Sequence, residues 1–123
     1  MKTSNRALIG AAIAIAATCA TAQQAEPTYK GDPSVYKLLY EDANFRVIEA
    51  VRPKGVHDKV HGHPTPAVVY HVTECKTKTY AADGKTSENT RKAGSVTPVP
   101  VIASHTAENT GSSDCKQVFV EKK

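Results

Sequence analysis

The chain of 123 residues has no tryptophan, one methionine and only two phenylalanines. Valine and tyrosine must therefore fill most of any core. No apolar run approaches the roughly 20 residues that a membrane-spanning helix needs. There is no Gly-rich phosphate loop and no Gly-x-Ser-x-Gly nucleophile elbow. No cluster of Lys and Arg is interleaved with aromatics, which removes the usual footprint of a nucleic-acid binder. No segment beyond residue 22 has a convincing helical period, so the chain must build its core from strands.

The first 22 residues form a separate unit. Lys2 and Arg6 make a positive start, Ala7 to Thr18 is a short apolar stretch, and Ala20-Thr21-Ala22 is a small-x-small site. This is the pattern of a secretory signal peptide cleaved after Ala22, which implies a periplasmic or secreted protein with no stable membrane insertion. Its removal changes the charge balance. The whole chain carries 16 basic and 12 acidic residues. Lys2 and Arg6 leave and no acid does, so 14 basic and 12 acidic remain, a formal charge of +2. Cys19 leaves as well, and Cys75 and Cys115 remain. An even pair in an oxidising compartment reads as a disulfide, the alternative being two buried free thiols.

About a hundred residues remain, enough for one domain with one modest core. Residues 23–34, with Pro27, Gly31 and Pro33, read as a flexible lead-in, and residues 35–123 as the folded domain. Val35 to Tyr40 reads as a short strand. Asn44 to Arg52 alternates with period two, placing Phe45, Val47, Glu49 and Val51 on one face and Arg46, Ile48, Ala50 and Arg52 on the other. Ala67 to Thr73 is the strongest strand in the chain. Lys76–Tyr80 and Thr86–Arg91 flank Asp83-Gly84, a hairpin signal. Ser95–Pro100, His105–Asn109 and Cys115–Glu121 follow. About eight short strands with regular turn signals indicate an all-β sandwich or barrel.

The residues with chemistry are histidines. In Gly55-Val56-His57-Asp58-Lys59-Val60-His61-Gly62-His63-Pro64, His61 and His63 are spaced i, i+2, which on a strand points both rings to one face. Two neutral imidazoles on one face are half of a transition-metal site. His105, downstream, is a third candidate. His57 reads as a solvated loop residue.

These two segments resemble the paired signature motifs of the cupin family. The first family motif runs Gly, five residues, His-x-His, three or four residues, Glu, six residues, Gly. Gly55, His61 and His63 match it. The Glu position falls on Val68, or on Ala67 at the shorter spacing, and the closing Gly on Cys75. The second motif runs Gly, five residues, Pro-x-Gly, two residues, His, three residues, Asn. Gly94, Pro100, His105 and Asn109 match it, with Ile102 at the middle Gly. The resemblance covers about Val47 to Glu121.

It implies a cupin-type double-stranded β-helix, a jelly-roll barrel with its site in the mouth. By position, His61, His63 and His105 would bind a divalent transition metal (Fe, Cu, Zn, Ni or Co) without the fourth, anionic ligand. With Val68 in the inward Glu position, alternation places Tyr70 inward as well and turns His71 outward, so Val68, Tyr70 and Asn109 are the expected cavity-lining residues. Asn109 has a second reading, as the residue that orders the Thr110-Gly111 turn. The resemblance also sets the Ala67–Thr73 strand antiparallel to the last strand, bringing Cys75 beside Cys115. A bridge closing a loop of about 40 residues contributes roughly 3–4 kcal/mol in the chain-entropy model. Many cupins are dimers, so homodimerisation is expected on the same ground. Two functions stay open: a small-molecule metalloenzyme, or a non-catalytic ligand-binding or structural cupin with a degenerate metal site.

Overall fold

The alternation of β-branched and polar residues dictates where strands form. The computed structural model describes residues 23–123, so the expected signal peptide lies outside the described residues. The elements are α1 (Thr28–Gly31), β1 (Tyr36–Glu41), β2 (Phe45–Arg52), β3 (His61–His63), β4 (Ala67–His71), β5 (Cys75–Ala81), β6 (Thr86–Arg91), β7 (Val96–Val99), β8 (Ile102–Asn109) and β9 (Cys115–Lys122). They form a five-stranded sheet, β1-β2-β9-β4-β7, and a four-stranded sheet, β3-β8-β5-β6. Neighbouring strands are antiparallel. This is a jelly-roll sandwich, and β4 does pair with β9, with Val69 opposite Phe119 and His71 opposite Gln117.

The core is small. Val35, Tyr36, Ile48, Ala50, Val69 and Phe119 cluster between the layers. In β2 the inward face is the one carrying Ile48, Ala50 and Arg52, while Val47, Glu49 and Val51 stay half-buried. The buried face is thus the one with the arginines, and each finds acids. Arg46 pairs with Glu41 and Glu121, and Arg52 with Asp58.

The structure corrects two sequence expectations here. Residues 23–34 are not a flexible lead-in. They pack along β3, with the Ala25 amide donating to the Ala103 carbonyl and the Gly62 amide to the Glu26 carbonyl. Thr28 and Asp32 are buried, and the Asp32 carboxylate accepts from the Lys59 amide at 2.9 Å. The polar composition hid this because the segment docks mainly through backbone groups and the buried Thr28 and Asp32, with Tyr29 adding an aromatic ring against the core.

The second correction concerns the phase of β4. Val68 and Tyr70 are each 47% exposed and face solvent, whereas Ala67, Val69 and His71 are buried. A slip of one residue in a strand exchanges its faces. The structure takes the shorter spacing, with Ala67 rather than Val68 at the inward position. Val68 and Tyr70 therefore do not line the cavity, and His71 does.

Candidate metal centre

β3 and β8 build the histidine cluster. His61 and His105 are direct cross-strand partners, but His63 lies opposite Ile102, so the register shifts between them. Such a bulge bends a strand and re-aims its side chains. The ring centroids lie 4.5 Å apart for His61 and His105, 5.1 Å for His63 and His105, and 5.5 Å for His61 and His63. One nitrogen from each ring lies within 4.8 Å of the other two.

The hydrogen bonds dictate which nitrogens face inward. His61 Nδ1 donates to the Lys59 carbonyl at 2.8 Å, which leaves Nε2 with a free lone pair. His63 Nε2 and His105 Nε2 face one another at 3.1 Å. Two Zn–N bonds of ~2.0–2.1 Å at a tetrahedral angle span about 3.3 Å, close to that separation. The Nδ1 atoms of His63 and His105 are buried without hydrogen-bond partners. Burial, followed by the neighbouring His61 and His63, pushes the His105 ring down to about 3. Burial likewise lowers His61, although Asp58 and the Lys59 carbonyl oppose it. These two rings are therefore neutral at ordinary pH, the protonation state a metal ligand requires. Donor type, tautomer and spacing together fit a divalent transition metal.

Gly62 lies between the two histidines because nothing larger fits there. A Cβ at that position would lie 2.6 Å from Gln24 Nε2 and 2.8 Å from the Ala103 carbonyl oxygen. Beneath His61 runs a buried polar network. The Tyr36 hydroxyl donates to Asp58 Oδ2 at 2.7 Å and accepts from Arg52 Nη2. Arg52 also donates to Asp58 Oδ2 through Nε at 3.1 Å and Nη2 at 2.7 Å, and Asp58 Oδ1 accepts the Ala107 amide at 2.6 Å. The Tyr36 oxygen lies 3.3 Å from His61 Nε2. With its proton engaged by Asp58, the phenol leaves that nitrogen free. Burial is the main cause that raises the Tyr36 phenol far above its usual range. Burial opposes the charge on Arg52, but Tyr36 and Asp58 outweigh it and raise the guanidinium.

From the cluster a cavity of about 210 Å³ runs between the sheets, lined by His63, His105, Phe119, His71, Thr97 and Gln117 among others. Gln117 Nε2 donates to His71 Nδ1 at 3.3 Å, so His71 Nε2 carries the proton and donates to Thr97 Oγ1 at 3.0 Å. Burial, and then the charge of Arg91, lowers the His71 ring.

No protein-family model matches the sequence, and no curated protein matches it. Solved structures do. A cupin domain from Bordetella pertussis Tohama I superposes with a TM-score of 0.66 at 19% identity, over 80% of this chain and 96% of that one. An RmlC-like cupin family protein with a double-stranded β-helix fold, from Methanocaldococcus jannaschii, gives 0.58 at 16% identity, over 72% and 78%. The chain has the cupin fold. An oxalate decarboxylase structure also superposes, with a TM-score of 0.52 at 23% identity, over 65% of this chain and 22% of that one.

In this fold His61, His63 and His105 do converge. Asn109 does not line the cavity. Its amide donates to the Arg52 and Ser113 carbonyls and its oxygen accepts the Gly111 amide, so it orders the β8–β9 turn. His57 stays exposed, stacked on Tyr80. Sequence reasoning missed Tyr36, Arg52, Asp58, His71 and Glu121. Glu121 had a signal: if Cys115 points inward to a disulfide, alternation carries Gln117, Phe119 and Glu121 inward too.

Proposed function

We propose that this chain is an exported cupin that binds one divalent transition metal through His61, His63 and His105 and holds a small molecule in the adjoining cavity. The observation that carries the reading is the 3.1 Å approach of His63 Nε2 to His105 Nε2, beside the free Nε2 of His61. Three imidazoles suit Zn, Cu, Fe, Ni or Co better than hard cations that prefer oxygen. Three protein ligands leave a position where a bound metal would polarise a water or a substrate oxygen. The Cys75–Cys115 disulfide supports export to an oxidising compartment.

The cavity is smaller than the ~300–1,000 Å³ of drug-sized sites, which favours a compact ligand. Its lining includes no Asp or Glu. It does include Arg91, whose guanidinium donates to Asn89 Oδ1 at 3.4 Å and pairs with no carboxylate among the described residues. That charge balance favours a ligand that is neutral or anionic.

The test is elemental mass spectrometry of mature protein purified without a metal-binding tag, beside a His61→Ala/His63→Ala double variant. About one metal per chain, lost in the variant, is the expected result. No metal in either protein, and none taken up when Fe, Cu, Zn, Ni, Co and Mn are offered, overturns the metal reading.

A further inference from the structure

Glu121 is a fully buried carboxylate at the inward end of β9. Only one of its oxygens has a hydrogen-bond partner: Arg46 Nη1 donates to Oε2 at 3.1 Å. The other, Oε1, is buried with no hydrogen-bond partner. Burying a carboxylate oxygen unpaired is costly, so its surroundings should contain a donor. Besides Arg46, whose Nε is also buried without a partner, the ionisable group beside it is His63, whose Nδ1 lies 3.8 Å from Oε1 and is itself buried and unpartnered. Two orphaned atoms thus face each other across a gap slightly too wide for a hydrogen bond.

The chemistry of the pair assigns the proton. If His63 carried its proton on Nε2, a lone pair on Nδ1 would face a carboxylate oxygen and both buried atoms would stay unsatisfied. With the proton on Nδ1, a small closure satisfies both. His63 Nε2 is then the bare nitrogen that faces His105. In the metal-free protein His105 Nε2 carries the proton between the two rings. The ring of His63 is also braced on its other side, stacked on Phe119 with centroids 5.6 Å apart and planes at 21°. Directly across from Glu121 on β4 is Ala67, and residues directly opposite on antiparallel strands share a face. Its small side chain leaves room for Glu121 to lie along the inner face.

We infer that Glu121 is the anionic positioning residue of the metal centre: it holds His63 through the Nδ1 proton and presents Nε2 to the metal, without itself being a ligand. This rests on the three-histidine reading proposed above. A carboxylate behind a ligating imidazole fixes its tautomer and raises its basicity, and loss of such a partner typically costs 10–100-fold in metal affinity. In this chain, where three neutral imidazoles face the metal, Glu121 supplies negative charge from the next layer out. Arg46 in turn anchors that carboxylate through the 3.1 Å contact to Oε2.

Two measurements separate this inference from the metal reading itself. The first needs no metal: long-range ¹⁵N–¹H spectra of the histidine rings in metal-free wild-type protein near pH 7.5. We expect His63 as the Nδ1–H tautomer, and in Glu121→Gln a mixture of tautomers. A wild-type His63 with its proton on Nε2 overturns the inference, whether or not any variant folds. The second is Co²⁺ affinity, followed by its visible absorption, for wild type and Glu121→Gln, each checked for an intact fold. A dissociation constant raised 10–100-fold in Glu121→Gln is expected. A change below twofold overturns the positioning role. If wild type takes up no Co²⁺ or other metal, the metal reading fails and the tautomer spectra still decide what Glu121 does to His63.

Discussion

Cys75 and Cys115 are bonded across the two layers of the sandwich. Cys75 begins β5 in the four-stranded sheet and Cys115 begins β9 in the five-stranded one, with their Cα atoms 4.9 Å apart. Both are buried. The bridge therefore pins one sheet to the other in a domain whose core contains only one phenylalanine. With the cysteines 40 positions apart in sequence, the chain-entropy model gives about 4 kcal/mol. A Cys75→Ser/Cys115→Ser variant should lose about that much in urea unfolding, and reductant should lower the midpoint of wild type but not of the variant. Alkylation of the native protein before reduction should leave its mass unchanged.

How far the sequence could be read depended on what each signal depends on. Alternation is a local property, and it located most of the strands. The histidine spacing is local too, and His61, His63 and His105 come together as that spacing and the cupin resemblance imply. The phase of β4 is not local. Ala67 to His71 has valines on both sides of the alternation, so only the facing sheet decides that Val69 and His71 turn inward. The buried charges were equally hidden. Arg52, Asp58 and Tyr36 meet from β2, the β2–β3 loop and β1. Nothing in their separations of 6 and 22 residues marks them as partners.

That network makes a second prediction. Arg52 and Asp58 are almost fully buried and 2.7 Å apart. Removing one partner strands the other charge, which costs about 3–5 kcal/mol in comparable buried pairs. Asp58→Ala should be destabilised by about that amount, and Arg52→Met similarly. The double variant should fall well short of the sum, because neither charge is then left alone. Tyr36→Phe removes only a hydroxyl and should cost about 1–2 kcal/mol. Urea midpoints of the four variants, measured at one pH, check the ordering.

The histidines carry a pH signature. Burial holds His105 down to about 3 in the folded protein, and it also lowers His61 and His71. Unfolded, each would titrate near 6.5. Between those values the unfolded chain binds more protons than the folded one, so stability is complete above about pH 6.5 and falls as the pH drops toward 3. Each fully depressed histidine removes up to about 1.4 kcal/mol per pH unit within that window. Asp32, which the Ser34 and Lys59 hydrogen bonds hold below its usual value against the opposing effect of burial, contributes only at the acid end. Urea unfolding of metal-free protein at pH 7, 6, 5 and 4 should show stability falling through this range. His105→Gln should flatten the slope between pH 6 and 4.

Gly62 connects the lead-in to the metal centre and gives the sharpest geometric test. Its amide bonds to the Glu26 carbonyl, and on the other side the β8 backbone approaches closely. A methyl group there meets the carbonyl oxygens of Ala103 at 2.8 Å and Ile102 at 3.1 Å. Gln24 Nε2, at 2.6 Å, is the end of a flexible side chain and can move. The two carbonyls are backbone in a paired strand and cannot move without parting β3 from β8. Overpacking of this kind costs about 1–3 kcal/mol. The same displacement would widen the 3.1 Å gap between His63 and His105, so Gly62→Ala should lose metal affinity as well as stability. Gly84→Ala is the control: it lies in the β5–β6 hairpin at φ 85° with no atom near an added Cβ. Its cost is backbone strain alone, and it should lower the melting temperature without changing the Co²⁺ dissociation constant. Equal loss of metal affinity in the two variants would mean that the spacing of β3 and β8 does not control the centre.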